Sequence, residues 1–133
     1  MDALAGILRP LLGRPVTLSS ALLDRYPELR LARVRRGGLP VRVGGWMLGR
    51  RTAAAITLWH TVFLAPREPA AVELLLHELR HIHQFQESAT FPVQYLWESL
   101  RRGYHHNRFE ADARRYATAR LRESGPELRR GEG

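Results

Sequence analysis

Residues 77–81 read His-Glu-Leu-Arg-His, and they lie in a segment whose apolar residues Val72, Leu75, Leu76, Leu79, Ile82 and Phe85 recur at helical spacing. On a helix, side chains four apart stand on one face with about 6 Å between them. His77 and His81 are therefore placed to reach one ion together. Glu78 flanks that ion without having to bind it, which is where a general base for an activated water belongs. Two imidazoles need one further protein ligand to make a zinc centre with its fourth position open. One Zn²⁺ per chain is the expectation.

The third ligand is not His83. Six residues after His77 it stands roughly 240° around the helix, on another face. Nor does the helix break into a glycine turn leading to a further histidine, because Gln84 and Glu87 stand where that glycine and histidine would be. The candidate lies downstream, in Asn107-Arg108-Phe109-Glu110-Ala111-Asp112-Ala113. Glu110 shares a helix face with Ala113 and Ala117, and small residues there let two helices approach closely. Asp112 falls on a different face, with Arg115, Tyr116 and Ala119, and has the shorter side chain. Glu110 is the expected ligand. A competing use exists, since Asn107 and Glu110 also form an N-x-x-E capping box.

The elements that must position these residues give an α+β order of N-terminal helices, a small, mostly antiparallel sheet, then three helices. Residues 1–13 read as a short apolar helix stopped at Gly13–Pro15. Ser19 or Ser20 caps a second helix over Ala21–Tyr26, ended by Pro27. From Glu28 to Leu64 the pattern alternates, with breaks at Gly37–Gly38 and Gly44–Gly45, and strands are expected at Val41–Val43 and Trp46–Leu48. Ala54–Leu58 and Thr61–Leu64 are parted only by Trp59 and His60 and read as a hairpin. The histidine helix then runs from Pro69 to about Glu87. Pro92 opens the next, with Val93, Leu96, Trp97 and Leu100 as its apolar positions and Gly103 as its stop. Asn107 caps the last, through about Arg122, before Gly125–Pro126. Trp46, Trp59 and Trp97 are expected in the core. One domain over 1–125 with a loose tail at 126–133 accounts for the chain.

Composition narrows the remaining choices. With 133 residues, 44% hydrophobic and 26% charged, the chain is long enough to bury a core without staples. The absence of cysteine excludes disulfides and thiolate ligands. All 21 basic residues are arginine, and the net charge is +8. Such a balance admits nucleic acid as a partner, but the arginines are scattered as well as paired, and no basic groove interleaved with aromatics emerges. The best apolar run, Ala53–Ala65, is too short to span a bilayer. Asp2, Arg9, Pro10, Arg14 and Pro15 interrupt any signal-peptide pattern, so a cytoplasmic location is expected.

His77-Glu78-Leu79-Arg80-His81 with Gln84, followed by Glu110-Ala111-Asp112-Ala113 on a later helix, resembles the gluzincin zinc metallopeptidases. The likeness is to small single-domain bacterial members, the minigluzincins, and to the peptidase-like domains found with extracellular contractile injection systems. It covers roughly residues 29–120. Arg108 stands where proline is common in that family, and Arg114 where thermolysin-like members carry an aspartate. The resemblance implies peptide-bond hydrolysis of a peptide or protein substrate, with zinc on His77, His81 and Glu110 and with Glu78 as general base. It also implies an edge strand near Thr61–Leu64 to hold an extended peptide, and a group that stabilises the oxyanion. Tyr95, Tyr104, His105, His106 and Tyr116 are candidates for that group, with the Gly103-led loop favouring His105 and His106. Two other readings compete: a zinc-binding adaptor without turnover, and a zinc protease acting on nucleic-acid-bound proteins.

Overall fold

The computed structural model describes residues 11–40 and 54–124. The chain divides into two compact units, Met1–Ala71 and Val72–Gly133. Among the described residues the architecture is α+β, with four helices and a small mixed sheet of four strands. None of these helices is long and apolar enough to cross a membrane. The strands expected at Val41–Val43 and Trp46–Leu48, the tail at 126–133 and residues 1–10 of the expected N-terminal helix lie outside the described residues.

In the first unit, Ser19 accepts a hydrogen bond from the Leu22 N–H and caps α1, Ser20–Arg25. The alternation expected from Glu28 does not start there. Pro27 fixes the first position of a 3₁₀ turn over Pro27–Leu31, which buries Leu29 and delays the strand to Arg33. The strands are β1 (Arg14–Pro15), β2 (Arg33–Arg36), β3 (Ala55–Leu58) and β4 (Thr61–Leu64), in the order β1-β2-β4-β3. The two outer pairings are antiparallel and β2–β4 is parallel. Gly13 sits at φ 68°, where a Cβ would lie 2.2 Å from the Arg36 carbonyl oxygen, so only glycine lets β1 reach β2.

The β3–β4 hairpin turns on Trp59–His60 as the spacing predicts. Trp59 takes the left-handed conformation at φ 53° that such a tight turn demands. Two expectations fail in this unit. Trp59 is 63% exposed, because a turn-tip side chain points away from the sheet. Thr61–Leu64 is not an edge: β4 pairs on one side with β2 and on the other with β3, which leaves β3 at an edge of the sheet among the described residues. Val62, Phe63, Leu64 and Ala65 are buried accordingly.

In the second unit, α2 spans Val72–Glu87, α3 Phe91–Arg102 and α4 Arg108–Glu123. Helix α2 begins three residues after Pro69 rather than at it. The Arg36 guanidinium draws the carbonyls of Ala65 and Glu68 into hydrogen bonds and holds this stretch as a loop. Leu75, Leu76, Leu79 and Ile82 are buried on α2, and Ala113 and Ala117 on α4. Helix α3 is turned the other way from its apolar pattern. Val93, Leu96, Trp97 and Leu100 are exposed, while Phe91 and Glu98 are buried. Trp97 is thus a surface residue, because the inward face of α3 is given to groups that serve the histidines.

Asn107 locks the start of α4. Its side-chain oxygen accepts from the Phe109 N–H at 2.9 Å, and its amide donates to the Tyr95 carbonyl at 3.1 Å and to Ser99 Oγ at 2.9 Å. The residue is fully buried. Asn107→Ala removes the cap and takes the donor from two half-buried acceptors, so a loss of about 1–3 kcal/mol is expected in denaturant unfolding. A change within a few tenths would mean that the clamp contributes nothing.

Candidate metal centre

Helix α2 presents His77 and His81 on one face, with ring centroids 5.1 Å apart and edge to face. Helix α4 brings Glu110 to them. Its Oε2 lies 2.8 Å from His77 Nε2, and its Oε1 lies 3.0 Å from His81 Nε2. The small-residue face explains this approach, since Ala113 and Ala117 are buried with Glu110. The Glu110 carboxylate is spent on the histidines and the Tyr95 hydroxyl, and the capping is done by the Asn107 side chain.

Glu78 completes the cluster. It is 6% exposed, and single donor atoms of His77, Glu78 and His81 all lie within 4.8 Å of one another, a grouping able to hold a metal ion. Metal–nitrogen and metal–oxygen bonds of about 2.0–2.1 Å set neighbouring donors of a tetrahedral ion about 3.3 Å apart. The observed 2.8 and 3.0 Å fall a few tenths short of that spacing, so side-chain shifts of that order admit an ion. The donor set fits.

Of the five candidate stabilisers, Tyr95 is the one brought to the donors. Its hydroxyl donates to Glu110 Oε1 at 2.7 Å, and its ring stands edge-on to His81 with centroids 6.0 Å apart. Tyr104 has its ring edge-on to His105, with centroids 5.8 Å apart. His105 and His106 are exposed, so the loop that favours them does not carry them inward. Tyr116 packs edge-on against His83, on the side of α2 that the helical count gave to His83. The signal for Tyr95 lay in its register with Phe91: four residues apart, both face His81.

A second layer surrounds the donors. Gln84 is buried, with Oε1 2.7 Å from His81 Nδ1 and Nε2 donating to the Phe109 carbonyl at 3.1 Å and to Asp112 Oδ2 at 2.9 Å. Arg80 donates to the same Asp112 oxygen at 2.6 Å. Asp112 therefore stands behind the site, as its helix face predicts. Phe91 packs against His81, Phe85 and Phe109 and keeps the back of the site dry.

These contacts set the charge states in the metal-free protein. Burial works against a charge on His81, but the Glu110 hydrogen bond and the charges of Glu78 and Glu110 outweigh it and push the imidazole up to about 9. Burial likewise favours a neutral Glu110, yet hydrogen bonds from His77, His81 and Tyr95 hold it well below the usual carboxylate range. Burial and the neighbouring Glu110 charge push the Tyr95 hydroxyl far up, so it remains a donor. Asp112 is lowered and Arg80 raised, each by the other against its own burial.

A pH dependence follows. A raised histidine stabilises the fold fully below its unfolded value near 6.5, and the contribution is lost as pH rises through about 9. The difference corresponds to on the order of 3 kcal/mol. Metal-free protein is expected to lose stability between pH 6.5 and 9 in denaturant titrations, and Glu110→Gln to flatten that slope. Stability that rises over this window in the metal-free protein would contradict the ion pair.

No protein-family model, curated protein or solved structure matches the chain.

Proposed function

We propose that the chain is a zinc-dependent peptidase of gluzincin type, with His77, His81 and Glu110 holding the ion and Glu78 acting as general base. The observation that carries this reading is the meeting of a carboxylate from α4 with both Nε2 atoms of the His-Glu-x-x-His helix, at 2.8 and 3.0 Å. Glu78 is buried beside them. A separate acid from a later helix offers the pair of histidines a third ligand, which supports the gluzincin reading.

When bound, zinc supplies Lewis-acid polarisation of a carbonyl and lowers the pKa of water. The remaining work falls to this chain's own side chains. Glu78 takes the proton of the attacking water on its carboxylate and hands it to the departing amine, so one group serves as base and then as acid. Tyr95 keeps the Glu110 carboxylate turned toward the histidines through its 2.7 Å hydrogen bond. The Phe85–Phe91–Phe109 cluster excludes water from the rear of His81, which strengthens each charge interaction at the front.

Elemental analysis of protein purified without added metal tests the centre, and about one zinc per chain is expected. Digestion of a broad peptide library tests the chemistry. Cleavage that a chelator abolishes and zinc restores supports the peptidase and excludes the adaptor without turnover. Zinc at full occupancy with no cleavage across the library would leave the adaptor as the reading. Absence of bound metal, with none taken up on addition, sinks both.

A further inference from the structure

We propose that Gln84 is a positioning residue that fixes the ring of His81 and the tautomer through which it binds metal. The inference rests on the metal-centre reading above and adds to it a neutral amide in the place where a carboxylate would ordinarily orient a ligand histidine. Its ground is a forced hydrogen-bond order. The Phe109 carbonyl and Asp112 Oδ2 lie 3.1 and 2.9 Å from Gln84 Nε2, and both can only accept. The nitrogen end of the amide must face them, because the reversed amide would set its oxygen against two acceptors. The oxygen end is then left facing His81, 2.7 Å from Nδ1. A carbonyl oxygen accepts, so Nδ1 carries the proton and Nε2 is the atom left for the ion, facing Glu110 at 3.0 Å.

Asp112 makes the order secure, and Arg80 holds Asp112 by a 2.6 Å hydrogen bond. Arg80 also reaches Glu87 at 3.1 Å. The chain Arg80–Asp112–Gln84–His81 thus ends in a dipole instead of a charge at the imidazole. The acid is one residue removed and already paired with a guanidinium. This relay, running from Gln84 through Asp112 to Arg80, orients the ring without a charged group in contact with Nδ1. Gln84 is 4% exposed, so water does not replace the amide in wild-type protein.

The test uses the full chain, zinc competition with a chromophoric chelator, and ¹⁵N-edited NMR of the histidine rings in metal-free and zinc-loaded protein. Gln84→Leu keeps the buried volume and removes both ends of the relay. It is expected to weaken zinc binding by roughly 10–100-fold, the usual cost of losing an outer-layer partner. In the metal-free form the His81 Nδ1 proton is expected to pass from slow to fast exchange, while the His77 ring signals stay in place as an internal control. Unchanged affinity together with a still-protected Nδ1 proton overturns the proposal. Wild-type protein that takes up no zinc, yet shows a His81 Nδ1 proton whose protection depends on Gln84, keeps the positioning role and fells the metal reading instead. Should Gln84→Leu not fold, Asp112→Leu at a half-buried position removes one of the two acceptors that orient the amide. A smaller loss of affinity in the same direction is expected there, and none at all overturns the relay.

Discussion

Glu78→Gln is expected to keep one zinc per chain and to lower peptide cleavage by between about 10²- and 10⁴-fold, the range a positioned general base contributes. The metal is retained because the proposed donors are His77, His81 and Glu110, and none of them is altered. Glutamine matches glutamate in volume at a site only 6% exposed, so packing is undisturbed. On the proposed mechanism, what disappears is the acceptor for the water's proton and the acid that returns it to the leaving amine. The two readouts separate the roles sharply. Loss of zinc together with activity would make Glu78 a ligand, as its presence within 4.8 Å of both histidine donors permits on distance alone. Full cleavage with zinc retained would move the base elsewhere. An adaptor without turnover has no activity for this change to remove.

The parts of the site legible in the sequence are those set by one helix at a time. His77 and His81 fall on one face by spacing, and His83 and Asp112 fall off theirs by the same count. Glu110 could be chosen because alanines at i+3 and i+7 announce a helix face built for close approach, and those alanines are buried. Asn107 reads as a cap from residue type, and the Trp59–His60 turn reads from the two hydrophobic runs it separates.

What was not legible depends on packing between elements far apart in sequence. Thr61–Leu64 was expected at an edge because local alternation says nothing of a parallel neighbour, and β2 supplies one from 28 residues upstream, Arg33 opposite Thr61. The exposed stripe of α3 is the sharper case. Val93, Leu96, Trp97 and Leu100 make the better apolar face, yet Phe91, Tyr95 and Glu98 turn inward, since the aromatic wall of His81 and the hydroxyl on Glu110 are on that side. Periodicity ranks faces by hydrophobicity. It cannot know that a buried carboxylate elsewhere requires a donor. That Tyr95 reaches Glu110 while His105 and His106 stay exposed follows from that same turn of α3, not from proximity in sequence to Glu110.

Glu110→Gln is expected to weaken zinc binding by well over the hundredfold that marks loss of an outer-layer partner, because it removes the charged ligand we propose. The amide keeps the side-chain volume, and its oxygen can still face one imidazole. It cannot serve both Nε2 atoms as the carboxylate does, at 2.8 and 3.0 Å. The helix cap is untouched, since Asn107 supplies it. Thermal stability should therefore respond through the metal. Zinc at a hundred times its dissociation constant stabilises wild-type protein by about 2.7 kcal/mol, and the same zinc concentration should add almost nothing to the variant. Asp112→Asn is the matched control: its side chain meets Arg80 and Gln84 and keeps an acceptor oxygen for both, so zinc affinity should stay close to wild type. The reverse pattern, with Glu110→Gln binding normally and Asp112→Asn failing, would put the ligand on the wrong face of α4. Normal binding in both would take the third ligand off this helix, and the gluzincin reading would go with it.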